Sequence, residues 1–211
     1  MNNKCKFFLI LTLAFLLTPQ IHAQNDFIFK ENPKEHHVRL HKTSSAETPY
    51  RIITYIDPRG TSVELDDGAT WTIVGKTSAK TVQGWRENDS IVIHPTMYEF
   101  WGGTSFYLYN ERTKTSAYSD LSSKGPLIGQ HTHIIITDIN LNYGQITTTD
   151  ATGRSNIWTI DSSDLQKLNN WNINQTIILG FNENCYAGWL SNHSYILINV
   201  EKYDYIEASL L

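Results

Sequence analysis

The sequence predicts an all-β protein built from two tandem small β-barrels that arose by internal duplication. Three observations carry this expectation. From Tyr50 onward the apolar segments are short and rich in Ile, Val, Thr, Tyr and Trp, and none keeps a helical period. Gly, Asn, Asp and Pro punctuate them at close intervals, and the same order of rare residues is met twice.

The first copy supplies candidate strands at 51–56, 62–65, 69–74, 90–94, 105–109 and 116–120. Between them lie Asp57-Pro58-Arg59-Gly60 and Asp66-Asp67-Gly68, both with turn chemistry: proline presets φ, and glycine accepts positive φ. Residues 78–85 have room for one helical turn.

The duplication is read from the tryptophans outward. Trp71 is followed fourteen residues later by Trp85 and six later by Ile91, while Trp158 is followed thirteen later by Trp171 and six later by Ile177. Trp101 and Trp189 form the third pair. Phe106-Tyr107-Leu108-Tyr109-Asn110 corresponds to Tyr195-Ile196-Leu197-Ile198-Asn199, and eleven residues beyond each Asn stands a leucine, Leu121 or Leu210. The entry strands also correspond, Ile53-Thr54-Tyr55-Ile56-Asp57 with Ile136-Thr137-Asp138-Ile139-Asn140.

Five or six short strands with one helical turn midway fit a small closed barrel of SH3-like or OB-like type, because closure removes the edges such short sheets would expose. Small β-sandwiches are the alternative. The expected division is 49–121 for the first β domain, a linker at 122–127, and 128–211 for the second. Within a strand Trp71 and Ile73 share a face, as do Ile91 and Ile93, which places Val92 and His94 on the other side.

This pattern of strand, Asp-rich turn with Gly68, Trp71, a short turn to Trp85, Asn88-Asp89 and the strand 91–93 looks like the small repeat domains of uncharacterised exported bacterial proteins. The resemblance spans most of 50–211 and implies export. It supplies no catalytic residue. The second copy departs from it in having Asn174-Gln175 where the first has Asn88-Asp89, and in a longer turn at 150–156.

Export is also read from the amino terminus. Lys4 and Lys6 precede an apolar run at 7–17, broken only by Thr12, and a short polar stretch ending at Ala23, the layout of a secretory signal peptide. Such a run is too short to span a bilayer, so no membrane span is expected after cleavage. Residues 24–48 then read as a flexible polar arm. Removing 1–23 changes the formal charge from −4 to 15 − 21 = −6 and leaves Cys185 as the one thiol. An acidic chain with 18% charged residues lacks the basic face a nucleic-acid binder needs. A single cysteine leaves stability to the core, and the expected location is the periplasm or the extracellular space.

Several groups are candidates for chemistry. Asp66 and Asp67 are adjacent carboxylates able to split their pKa values or hold a hard cation, although Asp before Gly68 is also ordinary turn chemistry. The corresponding loop of the second copy offers Asp150. His131 and His133 alternate on one strand and would need a third metal ligand such as His94 or His193. Glu35, His36, His37 and His41 lie in the arm, and Cys185 has no local signature of a nucleophile. No phosphate loop, nucleophile elbow or zincin helix is present, so no cofactor, metal site or catalytic residue is assigned.

Trp71, Trp158, Trp85 and Trp171 are expected in cores, because a small domain needs large side chains to bury enough area. Trp101 and Trp189 differ. They lie in Gly-containing loops between the fourth and fifth strands of each copy, with Phe100 and Tyr186 close by. Aromatics so placed can stack on sugar rings or anchor a protein. The expectation is therefore an exported, noncatalytic binding or interaction module whose contact residues are Phe100, Trp101, Tyr186 and Trp189 and whose ligand is a glycan or a protein. The alternative is an exported hydrolytic or metal-dependent enzyme using Asp66, Asp67 or the histidines.

Overall fold

A computed structural model describes residues 48–96, 105–123, 133–182 and 193–211. The signal peptide, the arm up to residue 47, Phe100, Trp101, His131, Cys185, Tyr186 and Trp189 lie outside the described residues. Among the described residues twelve strands form two closed antiparallel barrels. The first contains β1 (Tyr50–Ile56), β2 (Ser62–Leu65), β3 (Thr70–Ile73), β4 (Ser90–Pro95), β5 (Phe106–Asn110) and β6 (Thr115–Ser123), with helix α1 (Lys76–Val82) between β3 and β4. The second repeats the order with β7 (Ile134–Asn140), β8 (Gln145–Asp150), β9 (Ser155–Ile160), β10 (Thr176–Phe181), β11 (Tyr195–Asn199) and β12 (Asp204–Leu210). Its helical crossing is a 3₁₀ turn, η1 (Ser162–Asp164), running into α2 (Leu165–Leu168).

Each barrel is two three-stranded meanders laid edge to edge, in the order β1-β2-β3-β6-β5-β4 and its counterpart around β7 to β12. Closure pairs β1 with β4 and β7 with β10, so these described strands leave no open sheet edge. The barrel expectation therefore holds, and the sandwich alternative does not. Strand β6 continues through Ser122 and Ser123, where the sequence reading begins the linker. Ser123 pairs with Thr70, and the Ser122 hydroxyl donates to the Thr70 carbonyl at 2.9 Å.

The duplication extends to individual hydrogen bonds. A register shift follows Ile53 in β1 and Ile136 in β7. Asn88 and Asn174, at matching places before the fourth strand, have φ of 68° and 69°, a left-handed conformation that Asn tolerates better than most residues. At the end of β5 the Asn110 Oδ1 accepts from the amides of Arg112 and Thr113, while Nδ2 donates to Asp89. At the end of β11 the Asn199 Oδ1 accepts from Glu201 and Lys202, while Nδ2 donates to Gln175. One fully buried amide thus shapes the turn and ties it to the loop before the fourth strand. The two ion partners are exchanged together: Asp89 pairs with Arg112 in the first barrel, and Gln175 and Glu201 stand at those places in the second.

The tryptophans among the described residues behave as a core must. Trp71 and Trp158 are buried, each edge-on to the first residue of the fifth strand, Phe106 or Tyr195, at 5.4 Å. Trp85 and Trp171 close the interior beside Val82 and Leu168, and both indole N–H groups are satisfied, by Thr115 and by Asp204. Burial pushes the Asp204 carboxyl pKa up against the pull of that indole bond.

The first core reaches beyond its own barrel. Ile178, Ile196, Ile198 and Val200, from β10, β11 and the turn after it, belong to the same buried cluster as Ile93, Phe106 and the rest of the first barrel's interior, with Tyr205 packed against it. Ile177, Leu179 and Leu197, on the opposite faces of β10 and β11, fill the second barrel. Both faces of β4 and β10 are therefore covered, so Val92 and His94, facing away from Ile91 and Ile93, are buried. Each such isoleucine contributes about 1.5–3 kcal/mol by leaving water. Contact is close enough that a Cβ on Gly180 would stand 2.6 Å from the Ile93 carbonyl oxygen and 2.8 Å from the Ile196 side chain.

Two stability measurements follow from this architecture. Gly180→Ala should lose about 1–3 kcal/mol, seen as a lower urea midpoint, because the clash is with backbone that cannot step aside. Asn110→Ala and Asn199→Ala should each cost about 2 kcal/mol, since either change strands buried donors and acceptors; a loss in only one copy would refute the equivalence of the two turns.

Candidate functional site

The four aromatic contact residues expected from the sequence lie outside the described residues, but the strands that carry their segments are resolved in detail. In the first barrel the segment leaves from Pro95, the end of β4, and returns at Phe106; in the second it leaves from Phe181, the end of β10, and returns at Tyr195. These two exits are neighbours. His94 hydrogen-bonds the Phe181 backbone, and Ile93 lies against Gly180. The ladders place His94 and Gly180 at equivalent positions, so the second copy has no side chain where the first presents an imidazole.

Aromatic rings surround this junction. His94 stacks on Tyr107 with centroids 4.9 Å apart and planes 13° from parallel, and meets Tyr109 edge-on. Phe181 stacks on Tyr195 at 5.4 Å and receives the edge of Tyr50 at 6.0 Å. Two buried acceptors here have no hydrogen-bond partner among the described residues, His94 Nδ1 and Asn182 Oδ1. Burial drives the His94 pKa down to about 4 against the opposing effect of the Phe181 hydrogen bond, so the ring is neutral near pH 7.

No protein family, curated protein or solved structure matches the chain. Any functional reading therefore stands on the geometry of its own residues.

The carboxylate candidates are engaged by backbone amides. Asp66 Oδ1 accepts from the Ile52 amide at 3.1 Å, and Asp67 Oδ1 from the Ala69 amide at 2.9 Å. Asp67 also faces Arg51, Nε to Oδ2 at 3.3 Å, and both side chains are buried. Desolvation raises the Asp67 pKa even though Arg51 pulls the other way. Asp150 takes the same place in the second barrel, accepting from the Thr152 and Arg154 amides and pairing with the Arg154 side chain. These carboxylates hold turns, and one oxygen of each is engaged by backbone amides that a cation would have to displace.

The histidines among the described residues are scattered. His94 is at the barrel junction, His133 precedes β7, and His193 precedes β11. Among the described residues no three His, Cys, Asp or Glu side chains come together as a metal site would require. His193 does make a constellation that the sequence reading missed: its Nδ1 lies 3.0 Å from Ser209 Oγ and its Nε2 3.5 Å from Asp161 Oδ2. A shallow groove lies elsewhere on the second barrel, lined in part by Ile139, Leu141, Trp171 and Ile173, with Leu141 and Ile173 half exposed.

The buried imidazole gives a pH signature. A base whose folded pKa is depressed contributes full stability above its unfolded pKa near 6.5 and loses it as pH falls towards 4, where the loss levels off. The total is about 3 kcal/mol. Urea unfolding at a series of pH values should show this decline, and His94→Gln should remove most of the slope between pH 6.5 and 4.5. An unchanged slope would mean that the ring is solvated in solution.

Proposed function

We propose that the chain is an exported binding or interaction protein whose contact surface forms where the two barrels meet, with Phe100, Trp101, Tyr186 and Trp189 as contact residues and a glycan or a protein as ligand. The observation that carries this reading is the adjacency of the two strand ends, His94 on Phe181 and Ile93 on Gly180. Two aromatic-bearing segments that start side by side can act on one ligand, whereas segments from separated barrels would act on two. A shared ligand gains from a rigid base, because contact groups held in place before binding forfeit less entropy on association.

Aromatic side chains suit either ligand class, stacking on the apolar faces of sugar rings or filling pockets on a protein partner. The hydrolytic alternative loses Asp66 and Asp67, which are committed to backbone amides and to Arg51. Export rests on the amino-terminal pattern of Lys4, Lys6 and the apolar run at 7–17. None of the helices described is long and apolar enough to cross a membrane.

Titration of the mature protein with soluble cell-wall glycan fragments, followed by tryptophan fluorescence, tests the reading. Trp101→Ala and Trp189→Ala should each abolish the ligand-induced change while moving the thermal midpoint by no more than about 2 °C, as expected for substitutions outside a core. If glycan gives no signal, capture of envelope proteins by wild type but not by the double variant identifies the protein class instead. Unfolding of both variants, or undiminished binding by them, would overturn the assignment.

A further inference from the structure

We propose that Ser209, His193 and Asp161 of the second barrel form a nucleophilic site that accepts small acyl groups from esters. The inference is independent of the aromatic segments and adds a reactivity that binding does not require. Three stretches far apart in sequence supply it. Asp161 follows β9, Ser209 is near the end of β12, and His193 stands two residues before β11. The β9-β12-β11 order makes them neighbours: Ser209 pairs with Thr159, the Asp161 amide donates to the Glu207 carbonyl, and Tyr195 pairs with Ala208.

The base and its orienting group are both held. Asp161 Oδ1 accepts from the Ser163 amide at 2.8 Å as the cap of η1, which leaves Oδ2 towards His193 Nε2. The Ser163 backbone and hydroxyl hold the Asp161 carboxyl below its ordinary pKa, so it is ionised at neutral pH. The His193 carbonyl accepts from Asn182 Nδ2 at 3.1 Å. A carboxylate facing Nε2 favours the proton on that nitrogen, which turns the Nδ1 lone pair to the Ser209 hydroxyl. The ring is reversed relative to the commoner arrangement of such triads, but either imidazole nitrogen can act as the base. Ser209, His193 and Asp161 are all partly exposed, so an ester can reach them. The first barrel cannot do this, because Val74 follows β3 where Asp161 follows β9, and Asp120 takes the place of Ser209.

The chemistry balances with water alone. As Ser209 Oγ bonds to the ester carbonyl carbon, its proton passes to His193 Nδ1. Collapse breaks the bond to the alcohol, which leaves with that proton. Water then attacks the acyl-serine, gives a proton to Nδ1, and Oγ recovers it as the acid departs. Ser209 and His193 are the catalytic residues, and Asp161 is a positioning residue. Ser209 sits within a paired ladder, not on a sharp turn that presents adjacent amides to the oxyanion, and loss of one such donor costs roughly 10²–10³ in rate. Acylation by an activated ester should therefore outrun hydrolysis of the acyl-protein.

Full-length mature protein mixed with p-nitrophenyl acetate should release a burst approaching one p-nitrophenolate per chain, and peptide mass spectrometry should place one acetyl group on Ser209. Ser209→Ala and His193→Gln should abolish the burst while the protein stays folded, with the thermal midpoint lowered by no more than about 4 °C. Asp161→Asn should slow it by roughly tenfold or more and displace its pH profile, a readout that loss of the η1 cap alone would not move. Acetyl groups spread over lysines, or a full burst from Ser209→Ala, would overturn the proposal. If His193→Gln unfolds, Ser209→Ala decides by itself.

Discussion

The structure turns on the contact between β4 and β10 at Gly180. A barrel strand has an inner face fixed by its own core and an outer face that is normally free, and here the outer faces of two equivalent strands have been pressed together. That is possible because the position which bears His94 in one copy bears no side chain in the other. Once Gly180 admits the Ile93 carbonyl, Ile178, Ile196 and Ile198 follow it into the first barrel's hydrophobic cluster. The outer face of β10 and β11 thereby becomes part of the first barrel's core, while their inner face keeps a core of its own.

Comparison of the copies separates what a barrel needs from what this protein needs. The register shift in the first strand, the left-handed Asn before the fourth, the buried Asn at the end of the fifth and the tryptophan edge-on to its first residue are all kept. What changes is polar pairing. Trp158 donates to Thr148 inside the second barrel, while the ladder puts Leu65 at the matching place in the first, where the Trp71 N–H has no partner. Arg51 and Asp67 are buried together in the first barrel, and the second has Ile134 in place of the arginine. A buried ion pair is weak support for stability by itself, but removing either member would leave an uncompensated charge, so such a pair tends to fix a packing once formed.

The strands, the closed barrels and the duplication could be read from sequence because each leaves a local signal: alternation, turn residues, and the spacing of rare tryptophans. The junction left a signal that alternation conceals. Val92 and His94 are out of phase with Ile91 and Ile93 and so read as the outer face, yet the continuous apolar runs Ile177-Ile178-Leu179 and Ile196-Leu197-Ile198 are what strands covered on both sides look like. The Asp66-Asp67 pair could be read as turn chemistry from the Gly that follows it, and both side chains do accept from backbone amides. The link from Ser209 through His193 to Asp161 could not be seen at all. Asp161 and Ser209 are brought together by strand pairing across forty-eight residues, and no spacing rule reports such a contact.

The asymmetry of the pair bears on where new chemistry can arise. In the first barrel Asp120 accepts from the Ser105 amide, which ties β6 to the entry of β5. In the second barrel the equivalent outer position is Ser209, and the tie to the residues before β11 runs through the His193 ring instead of a backbone amide. Replacing an amide by an imidazole exchanges a group that only donates for a ring whose nitrogen can donate or accept a hydrogen bond. The same structural task, joining the sixth strand to the approach of the fifth, is thus done in one copy by a fixed dipole and in the other by an imidazole beside a hydroxyl. Duplication permits that exchange, because the first barrel retains the rigid solution while the second carries the reactive one.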